Sequence, residues 1–137
     1  MKLIKTLSLA FLISAANLNA NALNLNKNLN IYTEPPVKTI CIKNSAAGDV
    51  NNFFSHLTVL NFEVYKPGTE LAKIVKALKS NSDVESCIEG KATGDYQAIT
   101  LTLKNQKDKA WFAAEFKKAG LGHIKINNNP IVEVEKM

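Results

Sequence analysis

The sequence predicts an α+β fold, in which an antiparallel sheet carries two helices on one face and is preceded by an extra strand and a short helix. Apolar and polar residues alternate in 60–65 and 96–104, as in strands half-buried on a sheet, and apolar residues recur at helical spacing in 69–79. From Leu60 to Ile126 the segments follow in the order strand, helix, strand, strand, helix, strand. Segments of these lengths in that order build a sheet with both helices on one side.

Two elements are predicted ahead of this core. A strand at 37–43 begins after Pro35-Pro36, because two successive prolines cannot continue the pairing of a regular strand. Asp49 follows a run of turn residues and can cap a short helix that ends at about His56. This helix is indicated by apolar residues at helical spacing, namely Val50, Phe53, Phe54 and Leu57.

The two helices of the core have the strongest signatures. Thr69 can cap the first helix, which runs to Lys79. Its apolar stripe consists of Leu71, Ile74, Val75 and Leu78. The second helix begins at Asp108 and ends at Ala119-Gly120, where glycine can adopt the left-handed conformation that closes many helices.

The remaining strands complete the prediction. A strand at 84–89 is followed by a glycine turn at 90–94 and by the strand 96–104, which presents isoleucine and leucine on one side and threonine on the other. The last strand segments are placed at 123–126 and 131–134. This βαββαβ arrangement is the ferredoxin-like plan, extended by the N-terminal strand and short helix.

The N-terminus carries the pattern of a secretory signal peptide. Lys2 and Lys5 precede an apolar stretch that ends at Ala16, and small residues offer a cleavage site after Ala20 or Ala22. The apolar stretch is roughly ten residues long, whereas a transmembrane helix needs about 20. The predicted location is therefore the periplasm or the exterior, without membrane insertion once the signal is removed.

The predicted organisation is a signal peptide at 1–22, a flexible leader at 23–36 and a single α+β domain at 37–137. Removing the signal lowers the formal net charge from +5 to +3, because Lys2 and Lys5 are lost. All 17 basic residues are lysine. Specific nucleic-acid recognition usually relies on arginine, and no lysine cluster forms a basic stripe, so we expect no nucleic-acid partner.

Cys41 and Cys87 are the only cysteines. An even pair in an exported chain predicts one disulfide, and closing that loop would stabilise the fold by roughly 4 kcal/mol. Both thiols are predicted to lie opposite the apolar faces of their strands, Cys87 on the side away from Val84 and Ile88. A redox or metal-ligating pair is the alternative, although no Cys-x-x-Cys spacing is present.

Other polar residues offer weak candidates for a site. His56 and His123 could join the two cysteines in a Cys₂His₂ zinc site, but the spacing matches no zinc motif. Asp95-Tyr96 beside a glycine turn suggests a calcium or sugar site. However, this segment lacks the alternating oxygen ligands that a calcium loop requires. The chain also has no Gly-x-Ser-x-Gly nucleophile elbow. Because none of these patterns is complete, we expect no metal, no cofactor and no catalysis.

Several segments resemble the heavy-metal-associated domain family, a group of small ferredoxin-like modules that includes exported mercury-binding and copper-chaperone proteins. The similar segments are residues 62–68, the helix 69–79, Val84 and residues 116–121. In that family the loop after the first strand carries two metal-binding cysteines, whereas this chain has Gly68-Thr69-Glu70-Leu71-Ala72-Lys73. The resemblance implies the same fold and, as one alternative, a carrier of a small ligand or metal with altered ligands.

Protein binding is the function that the sequence favours. Trp111 shares a short helix with Phe112 and Phe116, and the three rings cannot all point inward. Phe112 and Phe116 are predicted core residues, which leaves Trp111 at the boundary, with Lys107 and Lys118 beside it, as the best interface candidate. We therefore expect an adaptor or inhibitor that binds a protein partner through an open sheet face or a sheet edge near the strand 37–43.

Overall fold

A computed structural model describes residues 34–137, of which Pro35–Met137 form one compact unit. The predicted signal peptide and the leader up to residue 33 lie outside the described residues. The α+β class is confirmed, with a six-stranded sheet and three α-helices in the described part of the chain. Within residues 34–137, no helix combines the length and the apolar character that crossing a bilayer requires.

The elements agree with the predicted segments to within two residues, except that β3 continues to Thr93 through most of the predicted glycine turn at 90–94. In chain order they are β1 Thr39–Ile42, α1 Val50–Ser55, β2 Val59–Tyr65, α2 Leu71–Lys79, β3 Val84–Thr93, β4 Tyr96–Leu103, α3 Lys109–Lys118, β5 His123–Ile126 and β6 Val132–Glu133. Short 3₁₀ turns occupy Ser45–Gly48, Gly68–Glu70 and Val134–Lys136.

Three predicted helix ends are confirmed. The Asp49 side chain accepts a hydrogen bond from the backbone N–H of Asn52 at 3.2 Å, which caps α1. Asp108 accepts one from the backbone N–H of Trp111 at 2.8 Å and caps α3. Gly120 follows α3 with a φ of +79°, a conformation that a side chain would disfavour.

The start of α2 differs from the prediction. Thr69 lies within the 3₁₀ turn Gly68–Glu70 and does not cap a helix, because this turn leads directly into α2. Glu70 occupies the capping position without a side-chain bond to the backbone, and its carboxylate pairs with Lys73 at 2.8 Å.

The sheet has the strand order β3-β4-β2-β1-β5-β6. All neighbouring pairs are antiparallel except β1 and β5, which run parallel with Ile40 beside Ile124, so the sheet is mixed and not antiparallel throughout as predicted. The predicted extra strand therefore lies inside the sheet, between β2 and β5. The proposed interaction edge near residues 37–43 is wrong, since both edges of β1 are already paired and all four of its residues are buried.

The core lies between one face of the sheet and the three helices. The phenyl ring of Phe116 on α3 packs 5.6 Å from that of Phe62 on β2 and 6.0 Å from that of Phe112, measured between ring centroids. The ring of Phe54 on α1 lies 4.8 Å from that of Phe112. Ile74 and Leu78 of α2 belong to the same cluster, so all three helices cover the same side of the sheet.

A β-bulge near the start of β3 changes which side chains face the core. The register shifts between Val84 and Ser86, so Val84 pairs with Leu103 while Cys87 pairs with Leu101. Because the extra residue reverses the alternation, Val84 and Cys87 both point into the core. The predicted orientation of Cys87 is therefore wrong, and Ile88 lies on the other face with 58% of its surface exposed.

Candidate binding surface

The face of the sheet opposite the helices is here called the open face. Two rows of paired residues cross β3, β4 and β2 on it, and their side chains alternate with the core residues of each strand. One row consists of Ile88, Thr100 and Asn61, and the next of Ser86, Thr102 and Val59. Val59 is 45% and Ile88 58% exposed, so this part of the open face presents two apolar side chains separated by threonines.

A second part of the open face is charged. Glu63 pairs with Cys41, which in turn lies beside Lys125 on β5. The Lys43 ammonium group donates to the Glu63 carboxylate at 2.8 Å and lies 5.4 Å from the ring centroid of Tyr96. The open face therefore combines an apolar region at β3, β4 and β2 with a lysine-rich region at β1 and β5.

A concavity of about 460 Å³ lies at the end of the charged region. Its walls include Lys43, Tyr96, Lys125 and Asn127. Asn127 has a φ of +53°, and its side-chain amide bonds both the N–H and the C=O of Asn44, at 2.9 and 2.8 Å. This pair of bonds ties the loop after β5 to the loop after β1.

The Cys41 thiol lies on the open face but has only 6% of its surface exposed. Burial raises its pKa, and the nearby Glu63 carboxylate adds to this shift, while Lys125 and Lys43 act in the opposite direction. A raised pKa keeps the thiol protonated at neutral pH. The arrangement therefore lacks the activated thiolate that a cysteine nucleophile needs.

The predicted disulfide is absent, because Cys41 and Cys87 are both free cysteines. Cys87 lies on β3 in the core, and Cys41 lies on β1 on the open face. Three strand spacings separate β3 from β1, which corresponds to about 14 Å at about 4.8 Å per spacing. A disulfide requires Cα atoms within about 7 Å, so the sheet order and the bulge prevent the bond.

Thiol labelling should reveal two protected thiols. We expect the native, unreduced protein to react slowly with a thiol reagent at about pH 8, because burial raises the pKa of both thiols. After denaturation without reductant, two thiols per chain should react at once. The measurement is mass spectrometry before and after alkylation, and a denatured chain that takes up no label would contradict the structure.

The other predicted ligands are not brought together. His56 lies at the end of α1, where its Nδ1 is 2.8 Å from the carbonyl oxygen of Asn52. His123 pairs with Thr39 in β5, two positions before Lys125. Within residues 34–137, no three His, Cys, Asp or Glu side chains form a group that could hold a metal ion.

Trp111 lies on the helix side of the molecule. Its indole is half-buried and packs edge-on against Phe112 with a centroid distance of 5.2 Å. The Lys107 ammonium group lies 5.9 Å from the ring centroid, as the sequence predicted for a neighbouring lysine, whereas Lys118 pairs with Glu115. Because α3 covers the opposite side of the sheet, Trp111 and the open face are two separate candidate surfaces.

Sequence reasoning missed Val59 and Ile88. The alternation of β4 places Thr100 and Thr102 opposite the core, and the same pattern could have assigned Val59 to that side. No such signal was available for Ile88, because the bulge at the start of β3 reverses the alternation there.

Comparison with known proteins provides no relative for this chain. It has no significant match to a protein-family model, to a curated protein sequence or to a solved structure.

Proposed function

We propose that this protein is a non-catalytic binding protein that engages a protein partner through the open face. The observation that carries the proposal is the distribution of the helices, since α1, α2 and α3 all contribute to the core on one side of the sheet. The opposite side keeps Val59 and Ile88 exposed. Both residues lie on the same face, on the strands β2 and β3 that flank β4, and exposed large apolar residues that share one surface are candidates for a protein interaction site.

The side chains around Val59 and Ile88 suit a protein surface. Thr100 and Thr102 are β-branched and lose little rotamer freedom when a partner covers them. Thr100 donates to the Asn61 side-chain oxygen at 2.7 Å, which fixes both groups in the middle of the surface. The Lys43 and Glu63 ion pair borders this region and provides a polar rim of the kind found around apolar interface centres.

Export forms the second part of the proposal. The signal-peptide pattern at residues 1–22 supports a protein that acts in the periplasm or outside the cell. Burial of both free thiols supports stability in an oxidising compartment, because Cys87 at 0% and Cys41 at 6% exposure offer little surface to an oxidant.

We also infer that the fold is an enlarged ferredoxin-like domain. The order of elements from β2 to β5 supports this inference, as does the antiparallel pairing of β2 with β4 and of β3 with β4. In this description β1 is inserted between β2 and β5, and β6 extends the sheet beyond β5.

The proposal predicts that Val59→Glu removes partner binding. A carboxylate in the apolar part of the open face would be buried by the partner without a compensating charge, so we expect capture to fall tenfold or more. The measurement is quantitative pull-down from native envelope extract, with purified protein as bait and mass spectrometry as the readout. Val59 is 45% exposed, so the substitution should leave the fold intact.

The matched control is Val132→Glu. Val132 is 37% exposed and pairs with the core-facing Ile124, which places it on the helix side of the sheet. This variant should capture the partner as well as the wild type does. Equal losses in both variants would refute a role for the open face, and a wild-type bait that captures no specific partner would refute the binding function.

A further inference from the structure

The concavity between Lys43 and Lys125 has the dimensions of a small-ligand site. Its volume of about 460 Å³ falls within the range of about 300–1,000 Å³ that is usual for ligand pockets. Its wall is built by β1, by the first residue of β4, by β5 and by the loops that follow β1 and β5. The sheet order thus brings segments that are distant in the chain to one hollow.

The shape of the concavity is fixed by hydrogen bonds within the protein. The side-chain amide of Asn127 binds both backbone groups of Asn44, and the backbone N–H of Asn127 donates to the carbonyl oxygen of Ile42 at 2.7 Å. The Asn44 side chain in turn accepts from the backbone N–H of Ala46 at 2.9 Å. A site whose loops are already tied together loses little conformational freedom when a ligand binds.

The charges around the concavity favour an anion. Lys43 and Lys125 both line it, and no acidic side chain of the described residues does. The Lys43 ammonium group is compensated by the Glu63 carboxylate, which lies outside the wall. Lys125 is half-buried and forms no ion pair with another residue of 34–137. One positive charge, that of Lys125, therefore remains without a counter-charge.

The neutral groups of the wall are compatible with an organic anion. The thiol of Cys41, which lies beside Lys125 across β1 and β5, remains protonated because burial raises its pKa, so it does not repel a negative charge. Tyr96 is half-buried and contributes aromatic surface together with a hydroxyl group. The wall therefore offers one cationic group next to an aromatic side chain.

We propose that this concavity binds a small organic acid through a single carboxylate. The Lys125 ammonium group is its principal partner, because hydrogen bonds between two charged groups are stronger than those between neutral groups. The apolar part of the acid lies against Tyr96. One uncompensated positive charge matches a monocarboxylate better than a doubly charged anion, whose second charge would be buried without a partner.

This proposal does not rest on the proposed protein contact. Val59 and Ile88 belong to other rows of the open face and do not line the concavity. The Val59→Glu variant should therefore bind an organic acid like the wild type, even where it loses its protein partner.

A titration with benzoate, followed by ¹H–¹⁵N NMR spectra of the labelled protein at constant ionic strength, tests the site. Half-saturation at about 1–10 mM is expected for so small a ligand. The shifted backbone amides should cluster around the concavity, at Cys41, Lys125 and Asn127. The proposal would be overturned by the absence of saturation up to about 50 mM, or by shifts that cluster elsewhere.

Two further probes examine the chemical class of the ligand. Benzyl alcohol has the same ring without the charge and should produce no saturable shifts at these amides. Inorganic phosphate has the charge without an apolar part, so it should bind about fivefold more weakly than benzoate. Equal binding of benzyl alcohol would refute the role of the carboxylate, and equal binding of phosphate would refute the preference for an organic acid.

Substitutions of Lys125 locate the charge that binds the carboxylate. Lys125→Gln should weaken benzoate binding about tenfold, whereas Lys125→Arg keeps the charge and should retain most of the affinity. The matched control is Lys76→Gln, which removes the same charge from an exposed position on α2 and should bind benzoate normally. Thermal unfolding of each variant checks the fold. Unchanged binding by Lys125→Gln, or an equal loss in Lys76→Gln, would overturn the assignment.

Discussion

Replacing Phe116 by alanine should lower the free energy of unfolding by about 3–5 kcal/mol, the range measured for truncation of buried phenylalanines. Phe116 has 0% of its surface exposed. Its ring connects α3 to the sheet through Phe62 and continues the aromatic cluster through Phe112. Alanine would leave a cavity at this junction that neighbouring side chains can fill only in part.

Urea denaturation followed by circular dichroism measures this loss. Phe116→Leu is the graded control, because leucine retains most of the apolar volume and should cost clearly less than alanine. A loss below about 1 kcal/mol for Phe116→Ala would place the ring outside the core and contradict the packing of α3 on β2.

Replacing Cys87 by serine should lower the stability of the protein more than replacing Cys41 by serine. Cys87 has 0% of its surface exposed and belongs to the apolar cluster, so Cys87→Ser places a hydroxyl in an apolar site and should destabilise the protein by about 1–3 kcal/mol. Cys41 lies on the open face beside charged side chains. Cys41→Ser should therefore cost less than about 1 kcal/mol, since the hydroxyl has polar neighbours.

This comparison distinguishes a protein with two free thiols from a protein with a disulfide. If a bond joined Cys41 and Cys87, either substitution would remove the same loop closure and cost roughly 4 kcal/mol. Unfolding in urea without reductant should instead show a clear difference between the two variants. Equal and large losses would contradict the positions of the two cysteines in the sheet.

Local features were predictable from the sequence because they depend on residues close together in the chain. The caps at Asp49 and Asp108 need only a carboxylate three residues before a backbone N–H. Gly120 closes α3 through its own backbone conformation. The alternation of β4 likewise assigned its leucines to the core, because side chains of a strand point to alternate faces.

Features that depend on distant segments were not predictable. The position of β1 follows from its pairing with β2 on one side and β5 on the other, and no local pattern encodes this choice. The orientation of Cys87 depends on one extra residue in β3, which a strict alternation rule cannot detect. The disulfide prediction failed for these two reasons together.

Of the two candidate surfaces, one was predictable from nearby residues and the other depends on distant segments. Trp111 was identified from helical geometry alone, since residues 111 and 112 lie about 100° apart on a helix and cannot both point inward. The open face emerged only with the sheet order, because the row of Ile88, Thr100 and Asn61 joins three separate strands.

The place of β1 in the sheet also determines when this chain can fold. Ile40, near the start of the described residues, must lie beside Ile124, near the end. Contacts between such distant residues slow folding, because the chain loses much of its conformational freedom before it gains them. During synthesis the sheet remains incomplete until β5 has left the ribosome. This chain therefore completes its sheet only near the end of its synthesis, when β5 becomes available to pair with β1.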